Sequence, residues 1–161
     1  MNKEKWIKQL DLEPHPEGGF YKELEPSAEL TQNSEGKERP LYTNIYFLLT
    51  DESPSHFHRL TADEIWYYHT GDPLTVHMLN EDGSYTKVTL GDNPDEGHVL
   101  QYKVPAGTIF GSTVDNKESY ALVSCMVSPG FDFEDFELFR QSDLLEKYPD
   151  HSEIIKYLAM I

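Results

Sequence analysis

The sequence predicts an all-β protein, an antiparallel sandwich or barrel with short helices before and after it. From about residue 19 to residue 128, short runs rich in β-branched and aromatic residues follow one another, among them LYTNIYFLLT, DEIWYYHT and ESYALVSCMVS. The breaks between these runs carry turn chemistry, as at residues 82–83 (Asp-Gly) and 91–94 (Gly-Asp-Asn-Pro). Many short strands at this spacing are typical of sandwiches and barrels.

Helical patterns are found near the two ends of the chain. Near the start, Trp6, Ile7 and Leu10 recur at roughly helical spacing, which predicts one short helix over residues 3–10. Prolines and glycines within residues 14–19 then end this helix and lead into the first strand.

The character of the sequence changes after Pro129. The segments SDLLEKY and EIIKYLAMI predict a helical extension over about residues 132–161, with Ser152 as the N-cap of the second helix. We therefore expect a single domain, residues 1–161, with its barrel core at about residues 19–128. The polar stretch at residues 33–39 predicts a surface loop.

Composition excludes several classes of partner. The 161 residues, 38% of them hydrophobic, suffice for one core. The 13 Lys and Arg against 29 Asp and Glu give a net charge of -16, which repels phosphate backbones and anionic lipid, so we expect neither nucleic acid nor membrane as a partner. Cys125 is the only cysteine, and the first twenty residues contain no apolar run of signal-peptide length, so a cytoplasmic protein is expected.

Ionisable residues gather on two predicted strands. His56 and His58 are separated by one residue, so they project from the same face of a strand. Alternation places Glu64, Trp66 and Tyr68 on one face of the next strand. If these strands pair, two imidazoles and one carboxylate meet, and His56, His58 and Glu64 then predict a site for a divalent metal such as Fe, Mn, Zn or Ni.

The same residues carry a resemblance. The run His56-x-His58, followed by Glu64 and then Gly71, resembles the first cupin motif with one residue more than usual before the glutamate. Asp63 would restore the usual spacing but would leave the glycine one residue late, so Glu64 is the better match. Residues 105–110, PAGTIF, resemble the second motif.

Phe110 departs from that second motif, because cupins place a histidine there. A metal-binding cupin would therefore lose its fourth protein ligand in this sequence. Between Leu12 and Leu138 the chain resembles the cupin-like family DUF985 more closely still, in the segments LEPHPEGGFYKE, TNIYFLL, SHFHRLTADEIWYYHTGDPL, VPAGTIFGS and YALVSCMVSPGFDFEDFEL. This resemblance implies an RmlC-like jelly roll, the double-stranded β-helix of the cupins, commonly a homodimer and without a settled activity.

That family is similar in structure to the dTDP-4-dehydrorhamnose 3,5-epimerases, cupins that abstract a proton beside a carbonyl without a metal. The resemblance implies that His58 corresponds to the epimerase base. Phe110, Val127 and Gly18 stand where the epimerases carry a histidine, a tyrosine and a phosphate-gripping arginine. These departures argue against the same substrate and reaction. Residues 18–19 (Gly-Gly) predict a turn before the strand at residues 20–24. The alternative, by the same analogy, is that Glu17 or Lys22 reaches the pocket of a neighbouring subunit.

The predicted pocket is lined by inward aromatic and polar side chains that act as ligand-binding residues: His56, Tyr46, Trp66, Tyr68, Phe110 and Ser112. Three functions stay open. The first is an isomerase or epimerase acting on a sugar or related polar metabolite, with His58 and Glu64 as catalytic residues. The second is a metal-dependent, dioxygenase-like cupin, and the third is a non-catalytic module that binds a small molecule. His69, His77 and His98 are expected to be surface or packing residues, and Cys125 a small buried hydrophobe.

Overall fold

The computed structural model describes residues 2–161, in which strands dominate and helices lie near both ends. In this part of the chain the strands are β1 (Glu13–Pro14), β2 (Phe20–Glu23), β3 (Leu30–Gln32), β4 (Glu38–Pro40), β5 (Thr43–Thr50), β6 (Ser55–Leu60), β7 (Asp63–Gly71), β8 (Leu74–Leu79), β9 (Tyr85–Leu90), β10 (Gln101–Val104), β11 (Ile109–Val114), β12 (Tyr120–Ser128) and β13 (Phe136–Leu138). The α-helices are α1 (Lys3–Gln9), α2 (Gln141–Lys147) and α3 (Ser152–Leu158), and short 3₁₀ turns lie at Pro94–Glu96, Phe133–Asp135 and Pro149–His151.

Two antiparallel sheets form the jelly roll. The first has the strand order β1-β2-β5-β12-β7-β10, and the second has the order β13-β6-β11-β8-β9. Strands that are neighbours in a sheet are often distant in sequence, as β5 and β12 are. The predicted all-β jelly roll is thereby confirmed.

The core lies between the sheets and takes alternate residues from both. Phe47 of β5, Trp66 of β7 and Phe110 of β11 belong to it, and each is at most 1% exposed. Burying one such side chain contributes about 1.5–3 kcal/mol. Cys125 of β12 lies in the same cluster, where burial raises the pKa of its thiol, so it is the small buried hydrophobe that the sequence predicts.

Helices cover part of the outer face of each sheet. Helix α1 begins at Asn2, whose side chain accepts a hydrogen bond from the Lys5 amide, and its apolar side packs on Leu48 of β5. Helices α2 and α3 cover Phe57 of β6 with residues such as Leu158. Between Asn2 and Ile161, none of the helices combines the length and apolar character needed to cross a membrane.

Several boundaries differ from the predicted ones. Strands β1 and β13 lie outside the predicted core limits of 19 and 128, because β1 pairs with β2 and β13 pairs with the edge of β6. The predicted loop at residues 33–39 is the tip of the β3–β4 hairpin together with the first residues of β4. Ser152 is the first residue of α3 and His151 is the cap, without a side-chain capping bond.

A buried polar chain lies on the outer face of the second sheet, around His77 of β8. Thr113 donates to Asp115 (Oγ1–Oδ1 2.8 Å), so the Thr113 hydroxyl accepts from the His77 Nε2–H group (2.8 Å). The other ring nitrogen, Nδ1, then accepts from the Tyr85 hydroxyl (2.6 Å). His77 is therefore a neutral packing residue, and burial lowers its pKa to about 4.

We expect this histidine to make the fold sensitive to acid. Its folded pKa of about 4 lies below the ordinary 6.5, so as the pH falls from 6.5 towards 4 the unfolded chain binds a proton that the folded chain does not. The stability present above pH 6.5 is lost over this window, and the free energy of unfolding falls by about 3 kcal/mol. Denaturant unfolding of His77→Gln between pH 7 and pH 4 should show a correspondingly smaller loss of stability than in the wild type. An acid curve parallel to that of the wild type would contradict this.

Candidate functional site

The turn between β1 and β2 carries a carboxylate into the barrel. His15 N–H donates to the Gly19 carbonyl (2.9 Å), which closes the turn, and Glu17 projects from it with 5% exposure. The Glu17 carbonyl accepts from both the backbone N–H (2.7 Å) and the ring Nδ1 (2.8 Å) of His56 on β6. We call residues 15–19 the Glu17 arm. The arm lies in the pocket of its own chain.

Gly18 is essential to the path of this arm. Its φ of +107° is a conformation that glycine adopts readily, and a β-carbon there would lie 1.8 Å from the Pro54 carbonyl oxygen. Gly36 in the β3–β4 hairpin also has a positive φ, of +76°, but its β-carbon would meet nothing. The two glycines therefore separate the effect of a clash from that of backbone conformation.

We expect Gly18→Ala to destabilise the fold by about 2 kcal/mol more than Gly36→Ala, because only Gly18 adds a backbone clash. Denaturant unfolding of both variants measures the difference. Equal losses would show that the arm can move away from Pro54 at no cost.

His58 is held as a cation. Its Nδ1 lies 2.7 Å from the His56 carbonyl oxygen and its Nε2 lies 2.9 Å from Glu17 Oε2. Both partners only accept hydrogen bonds, so both ring nitrogens carry protons. The ring is 1% exposed and lies 4.3 Å, centroid to centroid, from Phe110. Burial alone would lower the pKa of His58, but the Glu17 carboxylate overcomes it and holds that pKa above its ordinary value.

Glu17 shows the complementary effect. Burial favours its neutral form, yet the His58 imidazolium, helped by the hydrogen bond between the two groups, keeps the pKa of Glu17 below its ordinary value. Nearby His15, whose Nδ1 is 3.9 Å from Glu17 Oε1, is kept neutral because burial lowers its pKa. Glu17 and His58 therefore form a buried ion pair.

Glu64 is the second carboxyl group of the site. On β7 it shares a face with Trp66, whose Nε1–H donates to Glu64 Oε1 (2.8 Å). Glu64 is 8% exposed, and burial together with the negative charge of Glu17 raises its pKa to about 7. Asp63, the alternative in the first motif, is on the outer face and accepts from the Ala106 amide (2.8 Å). Glu64, and not Asp63, is the residue that faces the cavity.

These groups line a small cavity that opens to solvent, with about 40 Å³ of room for the centre of a water-sized sphere. The polar part of its wall consists of His15, Glu17, Glu23, Thr43, His58 and Glu64. The apolar part consists of Tyr21, Ile45, Leu60, Phe131 and Phe133.

Of the predicted site residues, only His58 and Glu64 line this cavity. Trp66 and Phe110 are core residues beneath it, and Tyr68, also packed on the core, donates its hydroxyl to the Gly71 carbonyl (2.6 Å).

The remaining predicted ligand-binding residues lie elsewhere. Ser112 is fully buried opposite Val76 of β8. Tyr46 was expected to point inward, but it lies on the outer face of β5, because Phe47 beside it fills the core. His56 anchors the Glu17 arm instead of lining the cavity.

The predicted metal triad does not assemble. Both ring nitrogens of His58 are taken by a carbonyl and a carboxylate, and His56 Nδ1 is taken by the Glu17 carbonyl. The Phe110 ring lies against His58 where cupins place a further histidine. Across residues 2–161, no three His, Cys, Asp or Glu side chains are arranged to hold a metal ion. The donor set of this chain therefore does not fit the metal site of the cupins.

Sequence reasoning missed His15 and the aromatic wall residues Tyr21, Phe131 and Phe133. It interpreted residues 18–19 as a turn and offered a role for Glu17 only by analogy with the epimerases. The available signal was the segment HPEGG, which places two ionisable residues before a double glycine, and the alternation of Phe131 and Phe133. Both segments reach the cavity through contacts that are distant in sequence. The predicted homodimer stays a prediction.

Two facing antiparallel sheets around a side-chain-lined cavity define a jelly roll of the cupin class. Residues 4–139 match the family described as Cupin superfamily (DUF985), and the chain belongs to this family. It is 30% identical to the uncharacterized protein YML079W of Saccharomyces cerevisiae over 169 residues, covering 95% of this chain and 84% of the yeast protein.

Solved structures agree with this assignment. A hypothetical protein from Leishmania major is 49% identical with a TM-score of 0.93, covering 100% of both chains. Protein SO0799 from Shewanella oneidensis is 46% identical with a TM-score of 0.92, covering 99% of this chain and 98% of its own. A variant of oxalate decarboxylase from Bacillus subtilis is 15% identical with a TM-score of 0.58, covering 94% of this chain and 38% of its own, and shares the fold alone.

Proposed function

We propose that the chain is a small-molecule isomerase or epimerase that moves a proton next to a carbonyl group of a sugar or related polar metabolite. The observation that carries the proposal is the buried pair of carboxyl groups whose pKa values are pushed apart, Glu17 below and Glu64 above its ordinary value. Such pairs divide the tasks of acid–base catalysis between two otherwise similar groups.

In this mechanism Glu64 is the base. Its carboxylate removes the proton from the carbon beside the carbonyl, the C–H electron pair forms the enolate, and negative charge develops on the carbonyl oxygen. The His58 imidazolium stabilises that charge, and Glu17 keeps His58 protonated. Glu64 then returns the proton to the neighbouring carbon, while the hydroxyl group passes its proton to the former carbonyl oxygen, which completes an isomerisation. Return to the same carbon completes an epimerisation only when the proton arrives on the opposite face, and from the same face it gives hydrogen exchange alone. The sequence predicts His58 as the base, but a doubly donating imidazolium fits the opposite role.

The protonation state of Glu64 sets the pH dependence. A base must be ionised, and the pKa of Glu64 is raised to about 7, so the rate should rise through about pH 7 and fall again at higher pH, where His58 loses its proton. A rate that fell through about pH 7 would contradict Glu64 as the base.

Exchange of substrate hydrogen with deuterated water, followed by NMR over a panel of keto and aldo sugars, tests the proposal. We expect exchange at the carbon beside the carbonyl, reduced at least about 100-fold in Glu64→Gln. Asp63→Asn is the matched control, one residue earlier and on the opposite face, and should keep the exchange. Saturable binding without exchange would instead assign the cavity to a non-catalytic binding module.

A further inference from the structure

The cavity has an unbalanced charge. Three of its wall residues carry carboxyl groups, Glu17, Glu23 and Glu64, against the single imidazolium of His58. Within residues 2–161, its wall contains no lysine or arginine. Because Glu17 is paired with His58, the negative charge of Glu23 and of ionised Glu64 has no cation inside the cavity.

One carboxylate oxygen of Glu64 is an unused hydrogen-bond acceptor. Its Oε1 accepts from Trp66, while Oε2 has no hydrogen-bond donor among the described residues, although the side chain is more than nine-tenths buried and lines the cavity. Oε2 is not among the side-chain atoms fully shielded from solvent, so it faces the open space of the cavity. A ligand that donates hydrogen bonds can bind to it there.

Aromatic rings form the other part of the wall. Phe131 and Phe133 meet edge to face with centroids 4.9 Å apart, and Phe133 lies 6.2 Å from the His15 ring. His15 in turn meets Tyr21 edge to face at 4.4 Å. Ring faces attract cations, and the half-exposed Phe133 (49%) leaves its ring available at the mouth.

We infer that the ligand of this cavity carries a positively charged ammonium group. The ammonium donates to the free oxygen of Glu64 and is surrounded by Glu23 and the aromatic wall. This inference deepens the proposed function and rests on its choice of this cavity as the ligand site. It names the substrate class as amine-bearing polar metabolites such as amino sugars. It excludes phosphorylated and nucleotide-linked sugars, which would meet no lysine or arginine and only an imidazolium already paired with Glu17.

Three hexoses that differ only at carbon 2 test the charge: glucosamine, glucose and N-acetylglucosamine. Calorimetric titration of the full chain at about pH 7.5 should show glucosamine binding about tenfold more tightly than the other two. Glu23→Gln and Phe133→Leu should each reduce this preference about threefold or more. Glu25→Gln, two residues further along and outside the cavity, should leave it unchanged.

Equal binding of the three sugars, or no binding of glucosamine, overturns the inference, as does a preference that survives both cavity variants. The two proposals fail separately. Deuterium exchange into a neutral sugar without any ammonium preference would retain the enzyme and remove the ammonium class. Ammonium-selective binding without exchange into any sugar would retain the ligand class and remove the enzyme.

Discussion

Replacing Glu64 with glutamine should make the folded protein more stable at pH 8, by about 3 kcal/mol, while removing its proposed activity. The folded pKa of about 7 lies above the ordinary 4.5, so as the pH rises through this window the unfolded chain releases a proton that the folded chain retains. Stability is therefore lost between pH 4.5 and 7, and above pH 7 the folded protein carries a desolvated charge. Glutamine removes that charge and keeps an oxygen for the Trp66 N–H group.

Denaturant unfolding of the wild type and Glu64→Gln at pH 4.5 and pH 8 checks this expectation. The stability difference should be near zero at the lower pH, where both forms are neutral, and large at the higher pH. Asp63→Asn controls for the loss of a carboxylate on the same strand and should change stability by less than about 1 kcal/mol. A Glu64→Gln protein less stable than the wild type at pH 8 would show that its carboxylate is better solvated than its burial indicates.

Replacing Glu17 with glutamine should instead destabilise the fold. We expect the free energy of unfolding to fall by about 3 kcal/mol near pH 5.5. The variant leaves His58 buried without its counter-charge. The contribution of Glu17, whose pKa is lowered, is present above 4.5 and lost as the pH falls through its folded pKa. That of His58, whose pKa is raised, is present below 6.5 and lost as the pH rises through its folded pKa. Both contributions are complete only between pH 4.5 and 6.5.

A double-mutant cycle with His58→Gln isolates the pair from other effects of each substitution. The coupling energy should be largest near pH 5.5 and should shrink at high pH, where wild-type His58 becomes neutral. NMR titration should also show the pKa of His58 falling in Glu17→Gln. A coupling that does not vary with pH would mean that the two side chains interact as neutral hydrogen-bond partners.

The expected loss of stability in Glu17→Gln and the expected gain in Glu64→Gln have a common origin in the same buried group of side chains. The ion pair of Glu17 and His58 stabilises the arm, while the neighbouring Glu64 carries the cost of a second carboxyl group in the same buried space. Retaining that cost is typical of functional sites, where stability is given up for a group with a shifted pKa.

Local sequence patterns determined much of the fold. Runs of β-branched and aromatic residues separated by turns predicted an antiparallel sandwich or barrel, and the family resemblance implied the jelly roll. Helical spacing located the helices near both ends. Alternation correctly placed Glu64 and Trp66 on one face of β7. These features depend on the two-residue period of a strand and on turn propensity, both of which are properties of neighbouring residues.

The tertiary structure decided which face of a strand is inward and what meets it there. On β5, Leu48 and Leu49 are both fully buried, because helix α1 covers one face and the core covers the other, so alternation could not place Tyr46. The Glu17 arm reaches His58 across 41 residues of sequence, and its carboxylate pairs with the imidazole. Long-range packing decides such contacts, and with them the charge of His58 and the pKa of Glu64.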